Sequence, residues 1–155
     1  MALNRRWIAA HIPHQGDMCL LDEVLDWNPS EIRCRTGSHR LATNPLRTGA
    51  QLHSLCGIEY AAQAVAIHGA LTASEIGHMP SLGYLASVRN VDLRISRLDD
   101  VASDLLVSAI RLGGGSTALM YEFSVSSEER VLVTGRGTIF LGTLPRRHDE
   151  ARTPC

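Results

Sequence analysis

One segment constrains the fold more than any other. Gln51 to Gly69 is the only long stretch with strong helix character, rich in Ala and Leu, free of Pro and closed by a Gly that suits a C-terminal stop. Leu52, Leu55, Ile58, Ala61, Ala62, Val65 and Ile67 fall on several of its faces, so the helix belongs inside a domain rather than on its surface. The small residues Gly57, Ala61, Ala62, Ala64 and Ala66 would let strands come close to its backbone. Most of the remaining chain reads as strand. Met18 to Trp27 is apolar, Asn28-Pro29-Ser30 signals a turn, and Glu31 to Thr36 alternates Ile32 and Cys34 with Arg33 and Arg35, which together predict a hairpin. Gly37 to Gly49 reads as a long irregular connection, and a loop spans about Thr72 to Ser81. Beyond it, four strands are expected around Val91–Ile95, Leu105–Leu112, Leu119–Val125 and Val131–Leu141, with turns at Asp99-Asp100, Gly113-Gly114-Gly115 and Glu128-Glu129. Such short connections imply antiparallel neighbours. The expected architecture is α+β: an antiparallel sheet of about six strands wrapped round one long central helix. Asn4 to Ala10 adds a short helical turn that Pro13 ends.

Composition narrows the chemistry. With 155 residues the chain is the right size for one domain with a real core, expected over residues 1–144, followed by a mobile tail over 145–155 that lacks any periodicity. Arg supplies all 15 basic residues against 16 acidic ones, and the net charge of -1 gives no bias toward nucleic acid or anionic membrane. The absence of Lys removes P-loop, kinase-type and Schiff-base chemistry. Cys19, Cys34, Cys56 and Cys155 form no C-x-x-C pair and three of them sit in apolar runs, which predicts a reducing compartment. The apolar run behind Arg5 and Arg6 is too short for an export signal, and no run approaches the roughly 20 apolar residues of a membrane span. A cytoplasmic location is expected.

Glu59 stands out because it lies within the apolar helix, where an unpaired carboxylate costs several kcal/mol to desolvate. Either Gln63, one turn on, or a loop N–H satisfies it, or it is a general acid or base at the end of a substrate tunnel. Cys56, Glu59, Gln63 and Ala66 share a helix face, so Gln63 can orient the carboxyl or bind a substrate oxygen. A second cluster is His11-Ile12-Pro13-His14. Pro13 spoils helical ligand spacing and no third ligand is in place, so no metal is expected. An imidazole beside a rigid Pro suits a fixed proton carrier, which makes His14 the first candidate partner for Glu59. His53, near the helix start, is the rival. His68 is expected to cap helix carbonyls, and Tyr60 and Tyr84 to be core or pocket-wall residues. Gly114-Gly115-Ser116-Thr117-Ala118 resembles a nucleophile elbow only superficially, since a strand rather than a helix follows it.

Two motifs in order carry a resemblance. Ile12-Pro13-His14-x-x-x-Met18-x-Leu20-Leu21-Asp22-Glu23-Val24 resembles the opening of the β-hydroxyacyl-acyl-carrier-protein dehydratases of the hotdog superfamily, and Gly57-Ile58-Glu59-Tyr60-Ala61-Ala62-Gln63-Ala64 resembles their central helix. A third, Gly83-Tyr84-Leu85-Ala86-Ser87-Val88-Arg89, is similar to a strand of the divergent dehydratases found in aryl-polyene and xanthomonadin-type pigment clusters. The similarity covers about residues 8 to 142. It implies a hotdog fold and the dehydration of 3-hydroxyacyl thioesters, borne by an acyl carrier protein or coenzyme A, with no cofactor. It also implies a homodimer, or a heterodimer with another hotdog protein, with sites between subunits. On this resemblance His14 or His53 acts with Glu59, while Cys56, Gly57, Tyr60 and Gln63 contact substrate. Typical members carry a G-H-F-P segment whose His partners the Glu, whereas Asn44 to Ala50 has no His. His14 or His53 therefore replaces it, or the domain hydrolyses or merely binds acyl thioesters. Arg40 and Arg47 either meet an acidic carrier or are solvated surface.

Overall fold

The computed structural model describes residues 3–142, and the expected tail over 145–155 lies outside them. Six strands form one sheet in the order β1-β2-β4-β5-β6-β3, with every neighbouring pair antiparallel. They are β1 (Glu23–Asn28), β2 (Glu31–Thr36), β3 (Gly83–Leu93), β4 (Leu105–Gly114), β5 (Ala118–Ser127) and β6 (Arg130–Leu141). Helix α2 (Gly57–Glu75) packs against one face, and the short α1 (Arg5–His11) precedes the sheet, its first turn capped by the Asn4 side chain. This is the α+β arrangement of a sheet around one helix that the strand and helix order predicts.

The central helix begins and ends six residues later than the sequence suggests. Residues 52 to 54 do not join it because their backbone is spent elsewhere. Leu52 donates to Asp99 Oδ1 (2.7 Å) and accepts from Leu98, while Ser54 donates to Ser96 (3.0 Å). A short 3₁₀ turn over Ser54–Cys56 then leads into α2. Gly69 lies within the helix, and the actual stop is Gly77, whose φ of +69° is open to glycine at little steric cost. His78 N–H reaches the carbonyl of Ala73 and Gly77 N–H that of Ser74, which satisfies the last helix carbonyls.

Strand β1 also starts later than expected, at Glu23 rather than Met18, because Gly16–Met18 forms a 3₁₀ turn and the Leu20 backbone bonds to side chains. Its N–H goes to Gln63, and its carbonyl accepts from Thr36 and Ser38 hydroxyls. Strand β3 includes the Gly83–Arg89 segment and ends at Leu93, so Ile95 lies beyond it. It forms a sheet edge, and Val91 and Leu93 remain 36% and 37% exposed instead of facing the core. The β1–β2, β4–β5 and β5–β6 hairpins stand where turn residues place them: Ser30 N–H caps back to Asn28 Oδ1, and the β4–β5 turn uses Gly114 at φ +128°. The hairpin expected across Asp99-Asp100 does not form, because β3 pairs with β6 and β4 with β2, and the Asp99 carboxylate is taken by Leu52 N–H and Arg97.

The core joins α2 to the inner face of β2, β4, β5 and β6 through Tyr60, Ala64, Ile67, Ile32, Val107, Val125 and Val133. Gly57 is needed where the helix start meets β6, since a Cβ there would lie 3.1 Å from Val133 Cγ2. Cys19 and Cys34 pack as small apolar groups, and burial pushes the Cys34 thiol up to about 12. His68 does not cap the helix. It is fully buried, with Nε2 at 2.7 Å from the carbonyl of Asn28 and Nδ1 at 2.8 Å from the Tyr121 hydroxyl. Because Asn28 offers only an acceptor, Nε2 carries the proton and Nδ1 accepts from Tyr121. No helix among the described residues is long and apolar enough to cross a membrane.

Candidate active site

The site forms where the loop after α1 crosses the first turns of α2. Ile12 N–H closes α1 onto Ile8, Pro13 stiffens the exit, and the Gln15 amide donates to the carbonyl of Ala9 (3.0 Å), so His14 is held from both sides. Its Nε2 lies 3.0 Å from Glu59 Oε1. The two side chains are 26% and 33% exposed, so the pair sits in a wall of the molecule that a ligand can reach. Glu59 is less buried than its apolar neighbourhood suggests, because it occupies the first turn of α2 and not the middle.

Gln63 is the fully buried element of the cluster. Its Oε1 accepts from Leu20 N–H at 2.9 Å, and its Nε2 donates to the carbonyl of Met18 (2.7 Å) and to Glu59 Oε1 (3.0 Å). The backbone donor at Leu20 and acceptor at Met18 leave only one amide orientation possible. One side chain thereby fastens the loop over 18–20 to the helix and aims a donor at the carboxylate. Oε1 of Glu59 thus accepts from Gln63 and lies 3.0 Å from His14 Nε2, while Oε2 makes no hydrogen bond among the described residues. Buried Nδ1 of His14 likewise finds no partner there, so Glu59 alone orients the ring. The clamp by Met18 and Leu20 backbone is the part that residue types do not reveal; the only signal is the spacing of Met18 and Leu20 behind His14.

The other expected site residues separate. His53 is exposed, its Nδ1 accepts Leu55 N–H (3.0 Å) in the manner of a helix cap, and only His14 of the two candidate histidines contacts Glu59. Cys56 sits half-buried one turn before Glu59, its Sγ 3.8 Å from the Leu46 carbonyl, and burial, reinforced by the Glu59 charge, raises its thiol. Gly57 presents backbone at the helix start. Tyr60 turns away: its hydroxyl is buried between Ser38 Oγ and Asn44 Nδ2, each at 2.9 Å, and burial raises its phenol. That places Tyr60 as a strut for the 38–44 loop. Arg40 is engaged by Asp104 and the Ala102 carbonyl, and Arg47 by the carbonyls of His39, Leu41 and Ala50. A small apolar crevice lies between α2 and the inner sheet face, lined on the helix by Ile58, Ala61, Ala62 and Val65, on the face next to the one that carries Glu59. No cluster of three or more metal-ligating side chains occurs among the described residues.

A family model of the ApeP dehydratases, the ApeP-like family, matches residues 6–148. The chain belongs to the ApeP-like dehydratase family. Family membership makes it an enzyme of the dehydratase type. No curated protein matches it. Among solved structures, this ApeP-like dehydratase is similar to the dehydratase heterocomplex ApeI:P from Xenorhabdus doucetiae. That match has a TM-score of 0.78 and 24% identity, over 88% of this chain and 91% of the other. It is also similar to zebra fish thioesterase superfamily member 2, with a TM-score of 0.62 and 19% identity over 89% and 95% of the two chains. A hypothetical thioesterase from Streptococcus pneumoniae, solved with coenzyme A, matches with a TM-score of 0.54 and 15% identity over 77% and 84%. At these identities the structural likenesses establish the hotdog fold.

Proposed function

We propose that this ApeP-like dehydratase removes water from 3-hydroxyacyl thioesters, carried by an acyl carrier protein or coenzyme A, to give trans-2-enoyl thioesters. The observation that carries the reading is the 3.0 Å contact between His14 Nε2 and Glu59 Oε1, with Gln63 bracing the carboxyl. Neutral His14 takes the proton from C2, Glu59 in its acid form protonates the leaving C3 hydroxyl, and water departs as the C2–C3 double bond forms. The positive end of α2 favours the enolate-like charge on the thioester oxygen, while the Cys56 and Gly57 N–H groups are themselves spent on the carbonyls of His53 and of the 3₁₀ turn. The reaction leaves an imidazolium beside a carboxylate. One proton crossing their 3.0 Å hydrogen bond restores the starting state, so the sum needs no other reagent. The acyl chain lies along α2 in the apolar crevice.

Strand β3 supports assembly with a second hotdog subunit, as a copy of this chain or a different one. It is an 11-residue sheet edge, and such an edge offers unpaired backbone groups for pairing. Leu85, Val91 and Leu93 add exposed apolar side chains along it, and the Xenorhabdus relative is a heterocomplex by its own description. Both members of the His14–Glu59 pair come from one chain, so the pair itself requires no partner.

The test is incubation of 3-hydroxyacyl pantetheine thioesters with the wild type and Glu59→Gln. Enoyl thioester formed by the wild type, and slowed by about 10² to 10⁴ in the variant, supports the proposal. Release of free thiol instead would indicate hydrolysis, and equal rates would remove Glu59 from the mechanism.

A further inference from the structure

Behind the His14–Glu59 contact, buried polar side chains converge on the backbone of one loop residue, Leu20. Thr36, Ser38, Asn44, Tyr60 and Gln63 are each at most 6% exposed, and hydroxyls and amides in a core must find partners to offset their lost hydration. The protons can be followed one by one. Asn44 Oδ1 accepts from Leu46 N–H, so its Nδ2 is the donor to the Tyr60 hydroxyl (2.9 Å). Tyr60, accepting there, gives its proton to Ser38 Oγ (2.9 Å), and Ser38 gives its own to the Leu20 carbonyl (2.7 Å). From the end of β2, Thr36 Oγ1 accepts from Ser38 N–H (3.0 Å) and gives its proton to the same carbonyl (2.5 Å). A carbonyl oxygen has two lone pairs, and at Leu20 both are filled.

Leu20 is thereby held from three elements: the end of β2, the 3₁₀ turn over Ser38–Arg40, and α2, whose Gln63 takes the Leu20 N–H. With one donor a carbonyl can swing about that hydrogen bond, and a second donor from another direction removes the swing. The hydroxyls are not what keeps the loop docked. Asp22 N–H bonds to the Arg35 carbonyl (3.0 Å), and Asp22 Oδ2 accepts from Gly37 N–H (2.7 Å). Valine would fill the space of Thr36 equally well, so what the hydroxyl adds is the aim of Leu20.

We propose that Thr36 is a positioning residue for proton transfer. Its hydroxyl, together with that of Ser38, fixes Leu20 so that the Leu20 N–H holds the Gln63 amide against Glu59 Oε1. The inference rests on the dehydration reading given above. Thr36 acts through Gln63, so its effect falls on kcat and vanishes when Gln63 is gone.

The experiment places Thr36→Val and Thr36→Ser in the wild type and in Gln63→Leu, at a temperature where circular dichroism shows each protein folded. Dehydration of a 3-hydroxyacyl pantetheine thioester is measured together with the imidazole nitrogen resonances of His14. Thr36→Val is expected to lower kcat about tenfold with KM unchanged, within the roughly 10²-fold that a 1 Å misplacement can cost. Thr36→Ser should restore kcat, and in Gln63→Leu the valine should cost nothing more. The His14 resonances should move in Thr36→Val as they do in Gln63→Leu, and stay in place in Thr36→Ser. Wild-type kcat in folded Thr36→Val, or a loss that multiplies with that of Gln63→Leu, would overturn the inference. Should Thr36→Val not fold, Ser38→Ala removes the other donor to Leu20 and is held to the same outcomes. If the wild type dehydrates no thioester, the dehydration reading fails and the resonances decide: the stated pattern upholds the positioning role, and unmoved His14 resonances in Thr36→Val overturn it.

Discussion

Replacing Gln63 by Leu removes a polar clamp without opening a cavity, since the two side chains have similar volume. The substitution strands Leu20 N–H, fully buried, and the Met18 carbonyl at the edge of the core. An unsatisfied buried backbone group costs about 1 to 3 kcal/mol, and the Met18 oxygen can recruit water, so the loss is about 2 to 4 kcal/mol. For a chain of this size that corresponds to a fall of roughly 5 to 15 °C in melting temperature. The same change deprives Glu59 Oε1 of its amide donor, leaving His14 as its sole partner, so turnover falls as well. Gln63→Glu sharpens the test. It can still accept from Leu20 N–H, but its second oxygen would face the Met18 carbonyl and the Glu59 carboxylate, acceptor against acceptor. It is therefore destabilised at neutral pH and recovers as acid protonates it. Melting curves followed by circular dichroism, alongside thioester dehydration rates, read both effects. A Gln63→Leu protein with wild-type melting temperature and turnover would refute the clamp.

Three further expectations separate site from scaffold. Tyr60→Phe should lose about 1 to 2 kcal/mol in urea unfolding, because Ser38 and Asn44 keep their other partners, and should retain wild-type kcat. His53→Ala should cost about 0.5 to 1 kcal/mol through the lost cap and leave kcat unchanged, and a large fall in kcat would restore His53 as a rival. Burial lowers the pKa of His39 and His68 from the ordinary value near 6.5. The unfolded chain then takes up protons that the folded one refuses. Stability should be full above about pH 6.5 and fall as the pH drops below it toward the folded-state values, by at most about 1.4 kcal/mol per pH unit for each histidine. Urea unfolding of the wild type and His68→Gln over that range checks this, with a shallower slope expected for the variant.

The fold was legible because its strongest signals are local. Alternation in residues 31–36 and 119–125 and the Asn28-Pro29-Ser30 and triple-Gly turns need no knowledge of the rest of the chain. What could not be read depends on distant partners. The helix start moved because residues 52–54 pair with 96–99, and Gly69 was passed over because Gly77 has both the left-handed backbone and the free neighbours to end a helix. Within the site, Glu59 and Gln63 are one turn apart on one helix, so their contact follows from the spacing. His14 lies 45 residues upstream of Glu59, and choosing it over His53 required the fold. Tyr60 shows the limit from the other direction: adjacent to Glu59 in sequence, it points across the helix to a loop, as a 100° step per residue dictates.

The central claim is that His14 and Glu59 act as one proton-transfer unit, and a double-mutant cycle on dehydration tests it most directly. His14→Asn and Glu59→Gln should each slow turnover by about 10² to 10⁴, and the double variant should be no slower than the worse single one, because removing either group disables the pair. Losses that multiply, or a single variant that keeps wild-type turnover, would contradict the account.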